Sequence, residues 1–137
     1  MTSFDAIYDV FLSQISDPVF MEQDSDDQLK HRYLLNSIPR FRKCKKDLSK
    51  RDDHEFHEEL TDEEVLILGT LMVVEYLNPL IISIENLKQF LSTRDFSMTS
   101  QAAHLRQLQE LRETKRKDSE KLILDYTYNN SDLRELR

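Results

Sequence analysis

The residues with the most chemical potential lie in the middle of the chain. His54 and His57 stand three apart in HEFHEE, with Glu55 directly after the first. A zinc-protease helix needs its histidines four apart, so that both reach one metal from one face, with Glu after the first. Here position 58 is Glu, and there is no Cys partner. That pattern fits a solvated loop. Asp24, Asp26 and Asp27 resemble the start of a calcium loop, but the glycine at its sixth position and the bidentate Glu at its twelfth are missing. A chain with one Gly cannot build a Gly-rich phosphate cradle. No Ser, and not the lone Cys44, lies in a nucleophile motif. The residues therefore predict no catalytic group, no cofactor and no metal set, and a protein that is not an enzyme.

Charge is the stronger signal. The 137 residues carry a net charge of −7, which argues against general nucleic-acid or anionic-membrane binding. Residues 1–29 hold Asp5, Asp9, Asp17, Glu22, Asp24, Asp26 and Asp27 with no Lys or Arg. Arg40, Arg42, Lys43, Lys45, Lys46, Lys50 and Arg51 then form a basic block. Asp52, Asp53, Glu55, Glu58, Glu59, Asp62, Glu63 and Glu64 follow it at once. Such blocks are either solvated faces or complementary surfaces between neighbouring chains. A single cysteine rules out an internal disulfide and suggests a reducing compartment. The N-terminus MTSFDAIYD has no basic region and no cleavage site, so it does not read as a signal peptide.

Helices must position these charges. One Gly and three Pro leave few tight turns, and helix formers dominate. Phe4, Ile7, Phe11 and Ile15 follow helix spacing, with Ser3 or Thr2 as cap and Asp17-Pro18 as terminator. Asp24 or Ser25 can cap a second helix from about Asp26 toward Leu48, which Pro39 kinks or splits. Residues 49–60 read as a polar connector anchored by Phe56 and Leu60, with no real sheet. Thr61 and Glu64 form a capping box. It opens VLILGTLMVVEYLNPLIISI, of which fourteen of twenty residues are apolar. Glu75, Asn78 and Pro79 inside this run, and its acidic flank, argue against a membrane span, since an acid at the bilayer centre costs roughly 2.5–3.5 kcal/mol. The run predicts a helix buried on several sides, with Leu68, Leu71 and Met72 in the core. Pro79 is expected to split or kink it. Mid-helix Gly69 predicts a close helix–helix contact. A last helix from about Thr99 to Tyr126 spans roughly 42 Å and has a polar centre. The fold class is thus all-α: a bundle of four to five helices with one long C-terminal helix and an extended tail. Residues 1–128 form a single helical domain, with an N-terminal helix and acidic loop over 1–23. Residues 129–137 form the tail, whose sparse Leu133 and Leu136 suit an assembly contact.

The runs HEELTDEEVLILGTLMVVEYLNPLI, SIENLKQFLSTRDFSMTSQAAHLRQLQELRE and LILDYTYNNSDL together resemble small neck proteins of tailed bacteriophages. These are head-to-tail connector, or adaptor, proteins. The resemblance covers roughly residues 30–133. It implies a virion structural protein, assembled in the host cytoplasm, that forms a homo-oligomeric ring between portal and tail. Its partners would be further copies of itself, the portal protein and a downstream neck or tail protein, and DNA would pass without sequence-specific binding. On that reading Arg40, Arg42, Lys43, Lys46, Tyr128, Leu133 and Leu136 are interface residues. Asp52, Asp53, Glu55, Glu58 and Glu59 face the channel, where negative charge would let DNA slide. The alternative is a small acidic helical protein that regulates or inhibits a host partner.

Overall fold

The structure, a computed structural model, describes residues 1–15, 17–90 and 100–129. Among them are five α-helices and one two-residue strand pair, so the expected all-α class holds. Strand β1 (Thr2–Ser3) runs into α1 (Phe4–Ser13). The Ser3 side chain accepts the Asp5 N–H, and Phe4, Ile7, Tyr8 and Phe11 form the buried stripe.

The expected terminator Asp17-Pro18 is instead the start of a short helix, α2 (Pro18–Gln23). Asp17 caps it by accepting the Phe20 N–H at 3.0 Å, and proline fills the first helical position, whose N–H needs no partner. Helix α3 (Gln28–Ser37) is much shorter than the span toward Leu48 that the pattern suggests. Pro39 falls in a 3-10 turn, Ile38–Arg40, that ends it. The chain then crosses the surface in turns, pinned by buried Phe41 and Leu48. The Asp24 carboxylate caps α3 from a distance, accepting the N–H groups of Leu29 (2.8 Å) and Lys30 (3.1 Å). Its charge is matched by the buried Lys30 ammonium, which also reaches Asp27 at 2.7 Å. Asp27 itself sits at φ 61°, a left-handed conformation that Asp tolerates better than most residues.

Strand β2 (Glu55–Phe56) pairs antiparallel with β1, so the connector is tied to the N-terminus rather than free. The Phe4 N–H donates to the His54 carbonyl, and the Thr2 hydroxyl oxygen accepts the Leu60 N–H. Phe56 packs edge-on against Phe4, with ring centroids 4.9 Å apart.

Helix α4 (Asp62–Phe90) is the axis of the fold. Its capping box forms as expected: the Glu64 carboxylate accepts the Thr61 N–H at 2.8 Å, and the Thr61 hydroxyl accepts the Glu64 N–H at 3.2 Å. Leu68, Leu71 and Met72 are buried. Gly69 meets α1 so closely that a Cβ there would lie 2.5 Å from Val10 Cγ1. Pro79 does not split the helix. It is exposed, while Leu77 and Ile81 on either side of it are buried, so packing holds the helix across the lost hydrogen bond. By length and composition α4 can cross a membrane, yet 61% of that apolar window is buried against the rest of the chain. A central core helix has this property. Phe11, Phe20, Tyr33 and Tyr76 bring α1, α2, α3 and α4 together in one aromatic cluster.

Helix α5 (Ser100–Asn129) returns alongside α4. Tyr126 meets Glu64, Arg112 meets Asn78 and Gln109 meets Glu85, so the two helices form an antiparallel hairpin. At 1.5 Å per residue α5 is about 45 Å long. The polar stretch foreseen in its centre is mostly exposed, with Ser119 its buried point.

Candidate interaction surfaces

The basic and acidic blocks fold against each other and against the core. Arg40 Nε lies 2.6 Å from the poorly exposed Oε1 of Glu75, an ion pair without hydrogen-bond alignment. Lys46 Nζ reaches Glu64 Oε1 at 3.5 Å. The Lys45 N–H donates to the Tyr126 hydroxyl at 2.7 Å. Arg42 contacts only the nearby Pro39 carbonyl, at 3.4 Å, and Lys43 is exposed. Of the interface residues suggested by sequence, Arg40 and Lys46 thus also serve the chain's own fold. Arg42 and Lys43 are turned outward. Tyr128 is exposed at the end of α5, and Leu133 and Leu136 lie outside the described residues.

The acids suggested for the channel shape their own loop. Asp52 accepts the N–H groups of His54 (2.7 Å) and Glu55 (2.9 Å), and the His54 N–H foremost holds its carboxyl below the usual range. Its other oxygen lies 3.8 Å from His57 Nε2. Glu58 accepts the Asp47 N–H at 2.7 Å, and Glu59 takes the Met1 ammonium at 3.0 Å. Asp53 is exposed and Glu55 half-buried. No group of three or more His, Cys, Asp or Glu among the described residues is placed to hold a metal ion.

Glu64 meets four partners at once. Besides Thr61 and Lys46, its Oε2 accepts the Tyr126 hydroxyl at 2.6 Å and lies 3.5 Å from Cys44 Sγ. Burial works against its ionisation, but the Thr61 N–H, the Tyr126 hydroxyl and Lys46 outweigh it and hold the carboxyl below the usual range. The same surroundings push Tyr126 up, through burial and its bond to Glu64. Burial is also the main reason the Cys44 thiol is raised to about 11, so it is protonated at neutral pH and a poor nucleophile. One carboxylate therefore caps α4, ties down the basic loop and latches the end of α5.

Two further features were not legible in the sequence. Along the α4–α5 hairpin Ile82, Leu87 and Leu111 are exposed, while Leu105 and Leu108 between the two helices belong to the core. Their helical spacing is the same as that of core residues, so only the position of the other elements reveals that they are exposed. The second is an acidic cleft of about 420 Å³ lined by Asp5, Asp26, Asp27, Asp53, His31 and His54. Its acids come from three separate segments.

Fold and surfaces thus define an all-helical protein whose distinguishing features are apolar and charged contact surfaces. Residues 1–128 match the family described as YomZ prophage protein, and the chain belongs to that family. It is a phage-derived protein. No curated protein and no solved structure matches it.

Proposed function

We propose that this chain is a structural adaptor of the phage neck. It forms a homo-oligomeric ring between portal and tail that continues the DNA channel, and it has no catalytic role. The observation that carries this reading is the long α4–α5 hairpin with exposed Ile82, Leu87 and Leu111. A chain of this size that holds apolar side chains out on a rod suits lateral packing against further copies. Membership of a prophage family supports the phage setting. On this reading the protein is assembled in the host cytoplasm and resides in the virion at the head–tail junction. Its partners are its own copies, the portal protein and the next neck or tail protein, with DNA passing through unread.

The acidic cleft favours a second reading, a small acidic protein that binds a basic host partner. Light scattering of the purified chain, alone and with portal particles, separates the two. A ring-sized species, or binding to portal particles in many copies, supports the adaptor. A monomer that ignores portal particles overturns it.

A further inference from the structure

A groove of about 600 Å³ runs between α1, the start of α4 and the end of α5. Val10, Leu66 and Leu122 give it apolar walls, and Leu66 remains 39% exposed there. Asp118 and Asp125 edge it from α5, on the same side of the helix as Leu122. About 100° round α5 from this side, at 3.6 residues per turn, runs a ridge. Lys117, Lys121, Leu124 and Tyr128 form it at spacings of four, three and four residues, and all four are exposed. Leu124 and Tyr128 are 69% and 68% exposed, so the ridge holds two large side chains clear of the chain's own core.

Groove and ridge match in charge as well as in shape. Lys117, Asp118 and Asp125 have no ion-pair partner among the described residues. An apolar trough edged by uncompensated carboxylates fits a ridge of apolar side chains with an uncompensated cation. One molecule cannot join the two, because they lie side by side on a single helix. A second copy can. A cyclic ring adds a constraint on how. Rotation about the ring axis leaves every residue at its own height, so helices standing along the axis meet the next copy level for level. The levels agree. Lys117 and Asp118 differ by about 1.5 Å along the helix, and Leu124 and Leu122 by about 3 Å. The Tyr126–Glu64 bond places Leu66, two residues further along antiparallel α4, at the level of Leu124.

Resting on the ring reading above, we propose that α5 of each copy lies parallel to α5 of the next, with its ridge seated in the next copy's groove. Leu124 packs on Val10, Leu66 and Leu122 of that copy, and Lys117 pairs with its Asp118. The contact is head-to-tail, so every copy uses both surfaces, as a ring requires.

The test is a cysteine pair, Leu66→Cys with Leu124→Cys, in a Cys44→Ser background. The full-length chain is oxidised alone and with portal particles and run without reductant. The expected result is a ladder of disulfide-linked dimers, trimers and larger species that forms only when both cysteines are present. Its yield should fall severalfold with Lys117→Glu or with Asp118→Lys and return when the two are combined. A dimer from either cysteine alone would show a two-fold contact and overturn the proposal. A crosslink closed within one chain, a ladder undiminished by both charge changes, or no crosslink in a particle of ring size would do the same. Light scattering of the uncrosslinked chain reads the ring itself. A ring without the ladder sinks only this contact, whereas a monomer throughout sinks both readings.

Discussion

Replacing Gly69 by Ala tests how tightly α1 is seated on α4. The added Cβ would lie 2.5 Å from Val10 Cγ1, 2.9 Å from Val10 Cβ and 3.3 Å from the Phe11 nitrogen. Ordinary contact begins near 3.4 Å, so α1 must retreat by nearly an ångström. Val10 cannot simply rotate away, because a β-branched side chain in a helix has one strongly preferred rotamer, and the third contact is backbone. Overpacking of this kind costs about 1–3 kcal/mol. Removing a mid-helix glycine returns about 1 kcal/mol. The net expectation is a loss of about 0–2 kcal/mol. The sharper quantity is the coupling to Val10→Ala, which removes the clashing methyls. The double variant should be more stable than Gly69→Ala alone, with a coupling of about 1–2 kcal/mol. Urea unfolding of the four chains measures it. Gly69→Ala more stable than wild type by the full helix-propensity gain, or no rescue by Val10→Ala, would show that the two helices are not in contact there.

Leu71→Ala, in the buried centre of α4, should cost about 2–5 kcal/mol by thermal or urea melting. Glu64→Gln keeps the shape of the cap and removes the charge that Lys46 and Tyr126 meet. The Glu64 carboxyl is depressed in the folded chain, so its contribution to stability is full above the ordinary value of about 4.3 and is lost as pH falls through the lower folded value. The gap between wild type and Glu64→Gln in urea midpoint should therefore close on acidification from pH 7. A gap that widens refutes the assignment. In a map of the assembled neck, Asp52, Asp53, Glu55, Glu58 and Glu59 should face the bore. Lys43, Lys45 and Lys46 lining it, with the 52–64 acids turned outward, would overturn the negatively charged channel, because basic groups hold DNA by counterion release.

Much of the architecture is legible residue by residue. The Thr61–Glu64 box, the close contact at Gly69 and the burial of Leu68, Leu71 and Met72 are local signals whose physics does not depend on distant partners. The prolines were harder. Asp17-Pro18 can end one helix or begin the next, and only the Asp17 bond to the Phe20 N–H decides. Pro39 ends α3 while Pro79 is absorbed within α4. The difference is burial on both sides of Pro79, which comes from other elements. The contact surfaces were least legible, because an apolar residue at helical spacing looks the same whether it is buried, as at Ile81, or exposed, as at Ile82 and Leu87.

The pairing of Thr2–Ser3 with Glu55–Phe56 also governs how the chain emerges from the ribosome. The first strand has no partner until the connector before α4 has been made. Phe4, Ile7 and Phe11 stay uncovered until much of α4 is out as well. The segment before α4 therefore cannot close as a unit during synthesis, although N-terminal parts of chains generally fold first. The segment before α4 waits, apolar face open, for its axis to arrive. Tyr126, which locks that axis through Glu64, is translated later still.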